Sequence, residues 1–241
     1  MSMGTSNTLG QQINQAAFWS AAVALATGVV SVFFPLDVPG GYEATASDRA
    51  AWLSANSGPF MLGWINQMIA MVSLSGVLAG LAWQVAGTHP LRAILAATLV
   101  AISMVAFFIP KFIAVWTIPM LAGAIATGSG ASDMAQALLP ILNVSVPFSL
   151  FTSFDYLGFW LYSLLALLVA RPLMQSSVSS KITGAVLGVF GLLYNGVVIA
   201  VLAGTIEGAE VAIYVGAVSL ILVFVLVASL FLFKGAAAPT D

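Results

Sequence analysis

The sequence predicts an all-α protein, a polytopic bundle that crosses a membrane about six times. Three observations predict it. Of 241 residues, 61% are hydrophobic and only 6% are charged, whereas a soluble domain carries roughly 25% charged residues. The mean hydropathy is +1.09. Apolar stretches near the length of about 20 residues that a bilayer core requires recur six times, separated by turns rich in Pro, Gly and charge. Lipid is therefore the main solvent, and the whole chain is expected to form one transmembrane domain.

The elements follow in order. The first span covers residues 15–36 and ends at Pro35-Leu36-Asp37. Residues 1–14 lack Lys and Arg and the apolar stretch after them is long for a signal peptide, so it is expected to stay as a span. An outer loop, 37–59, holds Ser47-Asp48-Arg49-Ala50-Ala51-Trp52-Leu53, which reads as a short capped helix at the interface. Span two is 60–85, with Trp64 and Trp83 near its ends at the spacing of two headgroup belts. Span three is 91–110. The segment 111–149 is apolar but broken by Pro119, Pro140 and Pro147. It either continues span three past a kink at Pro110 or folds back as a shielded cap, and the length of a bilayer favours the cap. Spans four, five and six are 150–170, 182–204 and 211–233.

Charge gives the orientation. Arg92, Arg171, Lys181 and Lys234 fall in alternate turns. The intervening loops hold Asp37, Glu43 and Asp48, then Asp133, then Glu207 and Glu210. Basic turns mark the cytoplasmic side, so both termini are expected inside. Arg49 runs against this rule and sits beside Asp48. The expected location is a multi-pass protein of a bacterial inner membrane.

The absence of cysteine removes disulfides, thiolate metal sites and thiol nucleophiles. His89 is the only histidine, and metal or haem sites built on His need more than one; beside Pro90 it reads as a solvated turn residue, with a pH-sensitive gate as the other reading. No enzyme motif is present, and neither a metal nor a cofactor is expected. With a net charge of -2 and no basic run, the partners are membrane lipids, other membrane subunits or a second copy, and not nucleic acid.

Asp155 is the sharpest residue, a carboxylate about five positions into span four. Such groups face the bundle interior and have partners. Lys111, about 20 residues above Arg92, lies at a similar depth near the outer boundary. The pair reads as an ion-linked site at the mouth of a cavity, or as a structural pair. Trp160, Tyr156, Tyr162 and Phe159 crowd around Asp155 and suit either an aromatic-walled pocket or a packed core. Span five places Gly184, Gly188, Gly191 and Asn195 on one face; span two places Asn66, Ser73, Gly76 and Gly80 on one face with Gln67 beside it. Gly184-x-x-x-Gly188 and Gly76-x-x-x-Gly80 match the small-residue packing motif. The polar members, Asn195, Asn66 and Gln67, either line a path with Lys111 and Asp155 or hold helices together. Asn143-Val144-Ser145 has a glycosylation spacing but lies in an apolar segment.

Phe60-Met61-Leu62-Gly63 at the start of span two, the acidic outer loop before it, and the basic turn leading from Lys181 to Gly191 resemble the layout of a family of uncharacterised six-span bacterial membrane proteins. The resemblance implies a fold layout and no activity or site. The residues themselves lead to two functions: a small transporter or channel for a small solute or apolar metabolite, or a non-catalytic subunit of a larger membrane complex.

Overall fold

The computed structural model describes residues 8–146, 148–208 and 210–236, so Pro147, Ala209 and the two ends lie outside the described residues. No strand occurs among them. Six helical stretches are long and apolar enough to cross a membrane: Leu9–Phe33, Ser57–Gln84, Pro90–Thr127, Leu150–Leu173, Val178–Leu202 and Val211–Gly235. We name the helices α1 (Leu9–Val30), α2 (Ala46–Ala55), α3 (Ser57–Gln84), α4 (Pro90–Phe112), α5 (Ile118–Thr127), α6 (Ser132–Leu142), α7 (Leu150–Leu173), α8 (Val178–Leu202), α9 (Val211–Ser219) and α10 (Ile221–Ala236).

Four helices start where a side chain supplies an acceptor for an orphaned amide group. Thr8 and Gln11 form a capping box at α1, and Thr45, Ser149 and Ser177 cap α2, α7 and α8. Thr45, rather than Ser47, starts α2, because its hydroxyl accepts from the Asp48 amide at 3.1 Å. Pro90 opens α4, where its missing N–H removes no helical bond.

The spans pack in chain order as a closed ring: α1 on α3, α3 on α4, α4 on α7, α7 on α8, α8 on α10, and α10 back on α1. Short turns join α3 to α4 and α7 to α8, which places those pairs antiparallel and adjacent. Large side chains fill the interior; Leu78, Phe107, Tyr162, Phe190 and Phe233 are fully buried.

Two expectations are corrected here. The segment 111–149 is not a loop beyond a span that ends at 110. The helix runs on through a π-helical turn, Ile113–Thr117, into α5. Ile118 donates to the Ile113 carbonyl, five residues back, and this widened turn makes room for Pro119, which has no N–H and whose ring clashes with the carbonyl four residues earlier. The 38 residues from Pro90 to Thr127 are far longer than a bilayer core requires. Their C-terminal part, α5, packs with α2 and α6 into a cap, so span three both continues and builds the cap. Trp64, expected at a headgroup belt, is buried, donating its indole N–H to the Leu36 carbonyl at 3.1 Å. Trp83 is 41% exposed, as a belt residue would be.

The glycine motifs mark close approaches. A Cβ on Gly184 would lie 2.7 Å from the Ala170 carbonyl oxygen, a backbone atom with little room to yield, whereas one on Gly188 would meet only the Ala170 methyl at 3.3 Å. A Cβ on Gly76 would collide with Ser20, and one on Gly80 would sit 2.5 Å from Ala17, so that motif brings α1 onto α3. Overpacking of this kind costs roughly 1–3 kcal/mol. Gly184→Leu is expected near the top of that range and Gly188→Leu near the bottom. Val189→Leu, at a 49% exposed position, should change stability by less than about 0.5 kcal/mol. Equal unfolding midpoints for all three in detergent would contradict the packing.

Candidate functional site

Two apolar clusters make up the interior. The larger lies among the spans and includes Phe107, Tyr162, Tyr194 and Phe233. The smaller belongs to the cap and the outer ends of the spans, with Leu53, Phe60, Trp64, Ile118, Leu139 and Phe151. Lys111 stands at the seam between them. Its Nζ lies 5.0 Å from the ring centre of Phe107 in the larger cluster, and 5.8 Å from those of Trp64 and Phe151 in the smaller. Cations over aromatic faces are attracted by the ring quadrupole.

The structure brings Lys111 and Asp155 together. Nζ donates to Asp155 Oδ1 at 2.5 Å, with side-chain exposures of 3% and 21%. About 21 residues of helix separate Pro90 from Lys111, a rise of roughly 32 Å, close to the thickness of a bilayer core. Its two residues come from α4 and α7, which pack extensively on each other. One turn below, a Cβ on Gly158 would lie 2.7 Å from the Phe107 ring, and Ser103, fully buried, donates to the Gly158 carbonyl. The π turn begins two residues beyond Lys111. Such turns are frequent at functional sites.

The other predicted polar residues are separate from this pair and bonded to their neighbours. Asn66 Nδ2 donates to the Thr27 carbonyl and to Ser31 Oγ, each at 2.9 Å, and Gln67 Nε2 donates to the same Ser31 Oγ at 2.9 Å. These bonds tie α3 to the outer end of α1. Asn195 Nδ2 donates to Ser163 Oγ at 2.9 Å and to the Gly191 carbonyl at 2.8 Å, while its Oδ1 accepts from Trp160 Nε1 at 3.1 Å. All three residues join helices.

A second buried ion pair was not read from the sequence. Arg49, which follows Asp48 in the chain, donates to Asp37 Oδ1 at 3.0 Å, to Ser145 Oγ at 3.1 Å and to the Gly41 carbonyl at 2.5 Å. Adjacent residues on a helix point apart, so Asp48 turns back to its own cap, accepting from Thr45 Oγ1 at 2.7 Å. Ser145 also donates to Asp37 Oδ2. The one signal available was that Arg49 stands in an outer loop, where an unpaired cation is disfavoured. Asn143, two residues before Ser145, is fully buried, and its side-chain atoms have no partner among the described residues, which fits no glycosylation acceptor.

No family model, curated protein or solved structure matches this chain. It is an all-α bundle with six apolar helices of membrane-spanning length.

Proposed function

We propose that this chain moves a small solute or apolar metabolite across a bacterial inner membrane, with the Lys111–Asp155 pair as its outer gate. One observation carries the reading: a buried ion pair bridges two spans at the seam between the bundle core and the cap core. Ionisable residues at such depth are expensive and mark substrate or ion pathways by default. The pair joins α4 to α7 and stands beside a π turn, so parting it separates two helices near a point where one of them departs from regular geometry. Asn66, Gln67 and Asn195 are engaged with neighbouring helices and are assigned no part of the route.

Because the chain lacks cysteine, single cysteines test this without knowledge of the substrate. In proteoliposomes, S47C is expected to react with an impermeant thiol reagent from the outside and S176C only from the inside, as basic cytoplasmic turns require. S103C, about 12 Å below the pair along α4, is expected to react slowly from the outside and faster when combined with Asp155→Asn. S229C, buried in the last span, should stay protected in both backgrounds, which separates opening from unfolding. An S103C that stays inert in both, while S47C reacts, would overturn the gate.

A second reading, the non-catalytic subunit, is favoured by a groove of about 500 Å³ across α1, α3 and α4, lined chiefly by small residues such as Ala16, Ser20, Gly76, Ala79 and Ala97. Small-residue faces admit a neighbouring helix. Native mass spectrometry from lipid distinguishes the readings: a stable partner subunit or second copy lost on Ala79→Trp supports it.

A further inference from the structure

The cap holds a partly open cavity of about 560 Å³, bounded by α2, by the turn before it, by α5 and α6, and by the chain leading into α7. That is the size of a small-molecule site. Arg49 forms part of its wall although the residue is only 5% exposed. A guanidinium has five N–H donors, and Arg49 makes three hydrogen bonds, two from Nη1 and one from Nη2. The Nε–H and one Nη2–H therefore remain on a buried cation that borders a cavity. Asp37 already offsets the charge, so the position suits an acceptor oxygen rather than a highly charged anion. The Tyr42 and Gln136 side chains share the wall, while Ile125, Leu139 and Phe148 supply apolar surface.

Position adds the rest. Phe148, on the cavity wall, is 78% exposed, and nearby Ile141 and Leu150 are 50% and 48% exposed. Leu150 opens α7 only a few residues before Asp155, near the outer hydrocarbon boundary, so these side chains belong at the lipid interface. A ligand with an apolar body reaches the cavity from the outer leaflet without crossing water.

We infer that the cap cavity is a binding site for a single-chain acyl lipid, its carbonyl or carboxyl oxygen accepting from Arg49 and its chain lying against Ile125, Leu139 and Phe148. The site stands apart from the Lys111–Asp155 gate, since the apolar cluster of the cap lies between them, and it does not require translocation.

The test is equilibrium binding of radiolabelled palmitate to the full chain in an alkyl maltoside, a detergent with no acyl carbonyl. Saturable binding of one palmitate per chain is expected. Ala46→Trp, at an exposed position on the cavity wall, fills the site without touching the Arg49 bonds and should weaken binding at least about tenfold. Val189→Trp, at a half-exposed position on α8 outside the cavity wall, should leave it unchanged. Competition by palmitate and also by its methyl ester assigns recognition to any acyl carbonyl; competition by palmitate alone assigns it to the free acid; both uphold the site. Competition by hexadecane equal to that by palmitate, or unchanged binding in Ala46→Trp, overturns it.

Discussion

Asp155→Asn is expected to destabilise the bundle by roughly 3–5 kcal/mol, the usual cost of breaking one side of a buried pair. The change leaves Lys111, 3% exposed, with three ring faces and no counter-charge. Lys111→Met leaves a carboxylate that is 21% exposed and free to turn towards headgroups, so its cost should be the smaller. The double variant Lys111→Met/Asp155→Asn removes both charges and should cost less than the sum of the single changes, because hydrophobic replacement of an entire buried pair is often neutral. A double-mutant cycle in a denaturing detergent measures the coupling, expected above about 1 kcal/mol. Coupling below about 0.5 kcal/mol, the ordinary error of additivity, would show that the two charges act separately.

Arg49→Met is expected to loosen the cap while the six spans persist. Three bonds end together, to Asp37, Ser145 and Gly41. They join the end of the first span, the turn before α2 and the chain after α6. Asp37, 18% exposed, loses its cation, and the cost should again approach about 3 kcal/mol. The loss should be local. Hydrogen exchange is expected to rise at least about tenfold for the amides of α2 and residues 143–146, and to stay unchanged in α8, since local opening has its own free energy. Asp37→Asn keeps an acceptor for Arg49 and should have a smaller effect. Uniform deprotection of α8 together with the cap would show that the cap and the bundle unfold as one unit.

The reading of Lys111 and Asp155 from sequence succeeded for a physical reason. Depth along a membrane helix is a linear count at 1.5 Å per residue, and charges are scarce enough that two at one depth on consecutive spans find each other. Arg49 failed by the same measure: its partner is twelve residues away, across a turn whose path no local pattern specifies. Gly184 and Gly76 were legible as small-residue motifs, but which of them meets an unyielding backbone atom was not, because that depends on the axial register of the neighbouring helix. The reach of span three was misjudged because Pro110 and Pro119 both read as breaks. A single π turn carries the helix past Pro119.

By itself the sequence determined the solvent and the class of fold. Too few charges remain to hydrate a globular surface, and six apolar stretches of bilayer length leave an all-α bundle as the arrangement that satisfies the backbone in lipid. The helix starts were legible only in part: the fourth span begins at Leu150 as read, capped by Ser149, whereas the first and fifth begin earlier, at Leu9 and Val178, capped by Thr8 and Ser177. Only the tertiary structure decided that the ring closes between α1 and α10, and that Asn66, Gln67 and Asn195 bind neighbouring helices. It also decided that Arg49 borders a cavity in a helical cap. Those outcomes depend on distances between residues far apart in the chain, which periodicity and composition do not encode.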